Sequence, residues 1–228
     1  MSFSFAIVST NPRTRKEIEI YNLAYSCFKD VWKNIFGDRY NADALKRQKY
    51  ICCILKGNEV IAIMSVDIFN LQCEAHMENT YFMDYPKEFF LYTQKNGVRS
   101  CITLESLTVR DRYRGELDGI RVVDMIVELA FFFSRFVHGD MVFGPVVRTN
   151  GASHRCKKFG AEVIIEDFLY RGLNCDMLLY RNKNNEMRNS KCLSKSLVRR
   201  LWEKRLDFTG LTDDQLKNFD IDQEAFAA

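Results

Sequence analysis

LESLTVRDRYRG, Leu104 to Gly115, is the stretch on which the fold turns. Side chains from Ile102 to Val109 alternate, so a strand here sets Glu105 on one face with Thr103, Leu107 and Val109. That is a carboxylate on a mostly apolar face. The strand runs into a turn carrying Arg110, Arg112, Arg114 and Gly115, and a helix is predicted from about Asp118 to Val137. Its apolar stripe, Ile120, Val123, Ile126, Val127, Ala130 and Phe131, is opposed by Arg121, Asp124, Glu128 and Arg135. A helix start offers free N–H groups and positive dipole, so together with the arginines the turn suits an anion. Downstream, MVFGPVV from Met141 reads as a second strand and NGASHRCKKFGA from Asn150 as a short helix.

Working outward, Phe3 to Ser9 alternates as a first strand, ended by Asn11 and Pro12. Thr14 to Phe36 carries Ile18, Tyr21, Ala24, Tyr25, Phe28, Trp32 and Ile35 at helical spacing and stops at Gly37. Tyr50 to Leu55 and Val60 to Phe69 form a hairpin across Lys56, Gly57 and Asn58. Between it and the strand holding Glu105 lies an insertion, Leu71 to Ser100, with a helical KEFFLYTQ; an insertion of this length is more often functional than idle. Glu162 to Tyr170 and Asp176 to Arg181 make a final strand pair. The fold class is α/β, a mixed sheet with helices on both faces.

The composition changes at RNKNNEMRNSK, which places a domain edge after residue 181 and leaves 182–228 as a polar linker and helical tail. A helix is expected around Leu193 to Leu206, and Thr212 with Gln215 suits a capping box. The tail is basic first and acidic after Asp207, so its halves fold on each other, on a second subunit of a homo-oligomer, or stay solvated. Because those charges nearly cancel, and Trp202 is the one aromatic among the basic residues, nucleic acid is a poor partner. At 228 residues and 47% hydrophobic content the chain can bury a core as one domain with an extension, or two small ones. Its eight cysteines lack metal-ligand spacing, so neither a zinc site nor a disulfide framework is expected, and free thiols point to a reducing, cytoplasmic compartment. MSFSFAIVSTNPRTRKE does not read as a signal peptide, and no segment is long enough to span a bilayer. A net charge of +3 decides nothing about partners.

Element order and the two motifs resemble the GCN5-related N-acyltransferases (GNAT), which move an acyl group from a thioester donor to an amine. The resemblance covers roughly residues 1–181. It implies that backbone groups of Leu107, Thr108 and Val109 hold the pantetheine arm of an acyl-CoA or acetyl-CoA donor, with no metal. The family's pyrophosphate turn would fall on Arg112, Arg114 and Gly115, where Gly119 comes two positions late and Glu116 and Asp118 add negative charge. In the second motif Asn150 is one residue out of place, and Cys156 stands where the family has its acidic tyrosine. Cys156 is then either the general acid for the departing thiolate or a small buried hydrophobe. Glu105 is either the base that deprotonates a small-molecule amine acceptor or the partner of a nearby arginine such as Arg99.

The long insertion, Phe28 and Trp32, and the turn are similar to acyl-homoserine-lactone synthases and N-acyl amino acid synthases. Their donor, acyl carrier protein, carries one phosphodiester and no adenosine diphosphate. On that likeness Phe82, Phe89, Phe90 and Tyr92 would line an acyl tunnel beside Trp32. The alternative function is a GNAT-fold binding or regulatory module that has lost catalysis.

Overall fold

The computed structural model describes residues 3–117, 119–149, 151–158, 160–181 and 192–212. Its main sheet has eight strands in the order β10-β1-β2-β3-β4-β7-β9-β8. The chain divides into two compact units, one of Met1–Val66, Ser106–His138 and Lys191–Ala228, the other of Asp67–Glu105 and Gly139–Ser190.

In the first unit β1 (Phe3–Ser9) pairs antiparallel with β2 (Tyr50–Lys56), which turns through Gly57, at φ +61°, into β3 (Glu59–Asn70). Helix α1 (Arg15–Phe36) starts at a capping box: Thr14 Oγ1 accepts from the Glu17 N–H at 3.3 Å, and Glu17 Oε2 accepts from the Arg13 N–H at 2.7 Å. Its buried face is Ile20, Ala24, Cys27, Phe28 and Val31, which is helical spacing, and it ends at Gly37, whose φ of +55° no L side chain adopts easily. A single turn, α2 (Asp43–Lys46), adds the buried Leu45. Helix α5 begins at Val122 (Val122–Phe136) and not near Asp118, which lies outside the described residues. A miniature hairpin precedes it, β5 (Glu116–Leu117) against β6 (Ile120–Arg121), turning at Gly119 with φ +76°. Helix α7 (Cys192–Glu203) sets Trp202 among Phe5, Phe132 and Phe136 at centroid distances of 6.1, 5.6 and 5.8 Å. Beyond it β10 (Leu206–Phe208), which the sequence pattern does not announce, pairs parallel with β1 from Ala6↔Leu206 to Val8↔Phe208. The residues described beyond 191 thus pack with β1 and α5. The Gln215 of the expected capping box and the polar stretch 182–190 lie outside the described residues.

The second unit holds β7 (Met141–Val147), β8 (Glu162–Tyr170) and β9 (Leu173–Arg181), with β9 antiparallel to both neighbours. It also holds the first part of β4 (Ser100–Val109). The insertion folds into α3 (Glu74–Met77), a 3-10 turn at Thr80–Phe82 and α4 (Lys87–Lys95). Two of the four aromatics expected along a tunnel are core residues, while Phe90 and Tyr92 are partly buried and border surface pockets. Phe82 and Phe89 are 3% and 0% exposed and fill a core around Phe143, at centroid distances of 6.2 and 4.7 Å. Tyr85 closes on the same ring at 5.9 Å. Buried aromatics of this size contribute most when fully packed, and a channel would forfeit that contact. Trp32 belongs to the other unit's core, stacked on Phe36 at 5.4 Å.

Candidate functional site

The centre of interest is the middle of β4. Among the described residues its parallel ladder to β7 covers Cys101↔Met141 to Thr103↔Phe143. The next residue on β7, Gly144, admits the Leu104 carbonyl so closely that a Cβ there would sit 2.6 Å from that oxygen. Two residues on, Ser106 takes φ +54°, a left-handed conformation unusual for serine. The alternation expected along 102–109 therefore breaks: Leu107 is 38% exposed, while Thr108 and Val109 are both buried. Glu105 stands at that break with its side chain only 12% exposed.

Glu105 has a partner that its neighbourhood in sequence does not reveal. Arg171 Nη1 donates to Glu105 Oε1 at 2.6 Å, and Arg171 Nε lies 3.8 Å from Asp84 of the insertion. The Arg171 guanidinium also sits 4.7 Å from the centre of the Tyr170 ring. The backbone N–H of Arg99 donates to Asp140 at 2.9 Å. Close by, Tyr85 donates its hydroxyl to Tyr81 at 2.8 Å inside the aromatic core. Burial above all, then neighbouring groups including Tyr170 and Glu105, pushes both hydroxyls well above the usual tyrosine range, so both keep their protons.

Further along β4, Thr108 is tied down: its hydroxyl accepts from Trp32 Nε1 at 2.7 Å and donates to the Ser106 carbonyl at 2.7 Å. The turn arginines face carboxylates of the chain itself. Arg110 pairs with Asp30 and with Glu59 at 3.1 Å, Arg112 with Glu59, and Arg114 with Asp111 at 2.9 Å. Burial acts to raise Glu59, but hydrogen bonds from Arg112 and Tyr113 and the charges of Arg112 and Arg110 outweigh it and hold the carboxyl below its usual value. Arg112 and Arg114 remain 66% and 56% exposed, so these are surface pairs of small energy. Gly115 has open space where a side chain would be, whereas Gly119 serves the β5–β6 turn.

Cys156 lies on α6 (Ala152–Lys158), its carbonyl accepting from the Tyr180 hydroxyl at 3.2 Å. Burial pushes its thiol up against a weaker pull from Tyr180 and Arg155, so the sulfur stays protonated. Asn150 lies outside the described residues. The start of α6 is fixed by Asp176, 1% exposed, which accepts from Ser153 and from the Asp167 N–H at 3.2 Å and pairs with Lys157 at 3.3 Å. Burial would raise Asp176, but these partners outweigh it and hold the carboxyl low. An aspartate amid the apolar side chains of β9 is the one sequence signal that could have marked it.

No family profile and no curated protein matches the chain. Solved structures do. An acyl-CoA N-acyltransferase from Pseudomonas aeruginosa is similar with a TM-score of 0.52 and 13% identity, over 78% of this chain and 99% of its own. FeeM, an N-acyl amino acid synthase from uncultured soil microbes, gives 0.55 and 11%, over 86% and 98%. The chain has the GNAT fold. A mosquito arylalkylamine N-acetyltransferase like 5b gives 0.53 and 10%, over 79% and 100%. At such identities the GNAT fold is what is shared, and a fold does not name a substrate. Along the chain, β4 with its turn, then β7 and α6, follow one another in the order the sequence predicts. Chemically, the second unit offers a carboxylate beside an interrupted ladder and a protonated thiol on α6, and the first unit offers exposed arginines past the end of β4.

Proposed function

We propose that the protein is an N-acyltransferase that moves an acyl group, acetyl or longer, from a thioester donor to an amine in the cytoplasm. The observation that carries this reading is the middle of β4, where, on a fold shared with N-acyltransferases, the ladder to β7 stops and Glu105 stands beside the left-handed Ser106. In the proposed reaction Glu105 takes a proton from the arriving ammonium. The freed amine attacks the thioester carbonyl, the tetrahedral intermediate collapses, and the C–S bond breaks with its electron pair leaving on sulfur. Cys156 gives the departing thiolate its proton, and the nitrogen, which still carries one proton too many for an amide, returns one to the Cys156 sulfur. Holding donor and acceptor together contributes much of the acceleration.

For the donor we assign the backbone of Leu107, Thr108 and Val109 to the pantetheine arm and Arg112, Arg114, Gly115 and Gly119 to its phosphate end, with Asn150 of the second motif as a further donor-binding residue. The commitment of Arg112 to Glu59 and of Arg114 to Asp111 weighs toward a donor with a single phosphodiester, acyl carrier protein, over acyl-CoA. The same pairs favour a second reading, a binding module that has kept the fold without the chemistry. Thermal unfolding with acetyl-CoA, octanoyl-CoA and octanoyl carrier protein tests donor binding. A donor at a hundred times its Kd adds about 2.7 kcal/mol of stability and raises Tm measurably. A flat Tm with every donor contradicts the acyl-transfer reading. Stabilisation without amine-dependent thiol release leaves the binding module.

A further inference from the structure

We propose that Arg171 is the positioning residue for Glu105, an inference that rests on the acyl-transfer reading. The β8–β9 turn is Arg171 and Gly172, with φ of +50° and +78°. A two-residue turn with both residues left-handed favours Asn, Asp or Gly first, because a long side chain there crowds its own backbone. An arginine is a poor local choice at that position. What it gains is reach. From the turn its guanidinium spans to β4, donates to Glu105 Oε1 at 2.6 Å and lies over the Tyr170 ring at 4.7 Å. The pair is largely shielded, 24% exposed for Arg171 and 12% for Glu105. An outlying backbone conformation kept for the sake of a side chain is the mark of a functional constraint.

The fixed guanidinium gives the carboxylate one orientation. One oxygen is held by Arg171, and the acceptor's ammonium then meets a base whose rotamer is already set. Asp84, 3.8 Å from Arg171 Nε and 41% exposed, steadies the arginine from the insertion. Arg171 itself need not touch either substrate. Its role is to keep Glu105 where proton transfer requires it.

The test is a double-mutant cycle on turnover, with donor KM and Tm measured alongside. Arg171→Asn suits the left-handed turn, so it deletes the guanidinium while leaving the hairpin formed. It is expected to lower kcat at least about 10-fold with donor KM unchanged. Arg171→Lys, which restores the cation, is expected to recover part of that loss. Added to Glu105→Gln, Arg171→Asn is expected to cost nothing further, because there is no longer a base to position. Wild-type kcat in Arg171→Asn, or losses that multiply in the double variant, would overturn the proposal while leaving acyl transfer intact. Absence of turnover in the unaltered protein with every donor and amine would instead remove the acyl-transfer reading, and this role with it.

Discussion

Asp176 joins α6 to β9 through a nearly sealed carboxylate, and its chemistry gives stability a definite pH dependence. Its folded-state pKa lies below the ordinary 3.8. Its contribution is therefore fully present above that value and is lost as pH falls through the depressed one. Urea unfolding should show Asp176→Asn about 2 kcal/mol less stable than the unaltered protein at pH 6, with the gap narrowing as pH falls below the ordinary 3.8. A constant gap would mean that the aspartate acts by shape and not by charge. Glu105 was legible as a carboxylate on a half-apolar strand, but its partner was not. Arg171 lies 66 positions away, and nothing in the spacing of arginines near β4 points to a hairpin turn so distant. Ser106 was illegible for a different reason. Glycine marks a left-handed backbone in a sequence, and serine in that conformation leaves no mark.

At the scale of elements, long periodic segments were readable and short ones were not. The stripe of α1 and the alternation of β1 carry enough residues to set a period, and the structure has both within a residue of the expected bounds. The helix expected from residue 118 begins at Val122, because Gly119 turns the chain into a hairpin first. Three residues, Leu206–Phe208, are too few to show a strand pattern, and their pairing with β1 depends on a contact across nearly the whole chain. What holds that end of the chain in place is Trp202 against Phe5, Phe132 and Phe136, with Arg205 stacked 4.2 Å from its ring centre. Because Trp202 is partly exposed, its removal should cost less than a core tryptophan. Trp202→Ala is expected to lower stability by about 2 kcal/mol in chemical denaturation. An unchanged midpoint would show that α7 adds nothing to the first unit.

For the whole molecule, the GNAT fold comes through with 10 to 13% identity to the three N-acyltransferase structures compared. Order of elements and placement of apolar faces survive where individual residues do not, which is why the fold could be read before the site. The site is harder because the turn arginines meet carboxylates of their own chain, and a motif does not reveal which side chains it will find as neighbours. The central claim, that Glu105 at the break in β4 serves amide formation from a thioester, is tested by mass spectrometry of the product. The full chain is incubated at neutral pH with octanoyl-CoA or octanoyl carrier protein and a panel of amines and amino acids, beside Glu105→Gln. An N-octanoyl product is expected from at least one acceptor, formed about 10²-fold more slowly by Glu105→Gln. No amide from any pairing, or the same rate in both proteins, would contradict that claim.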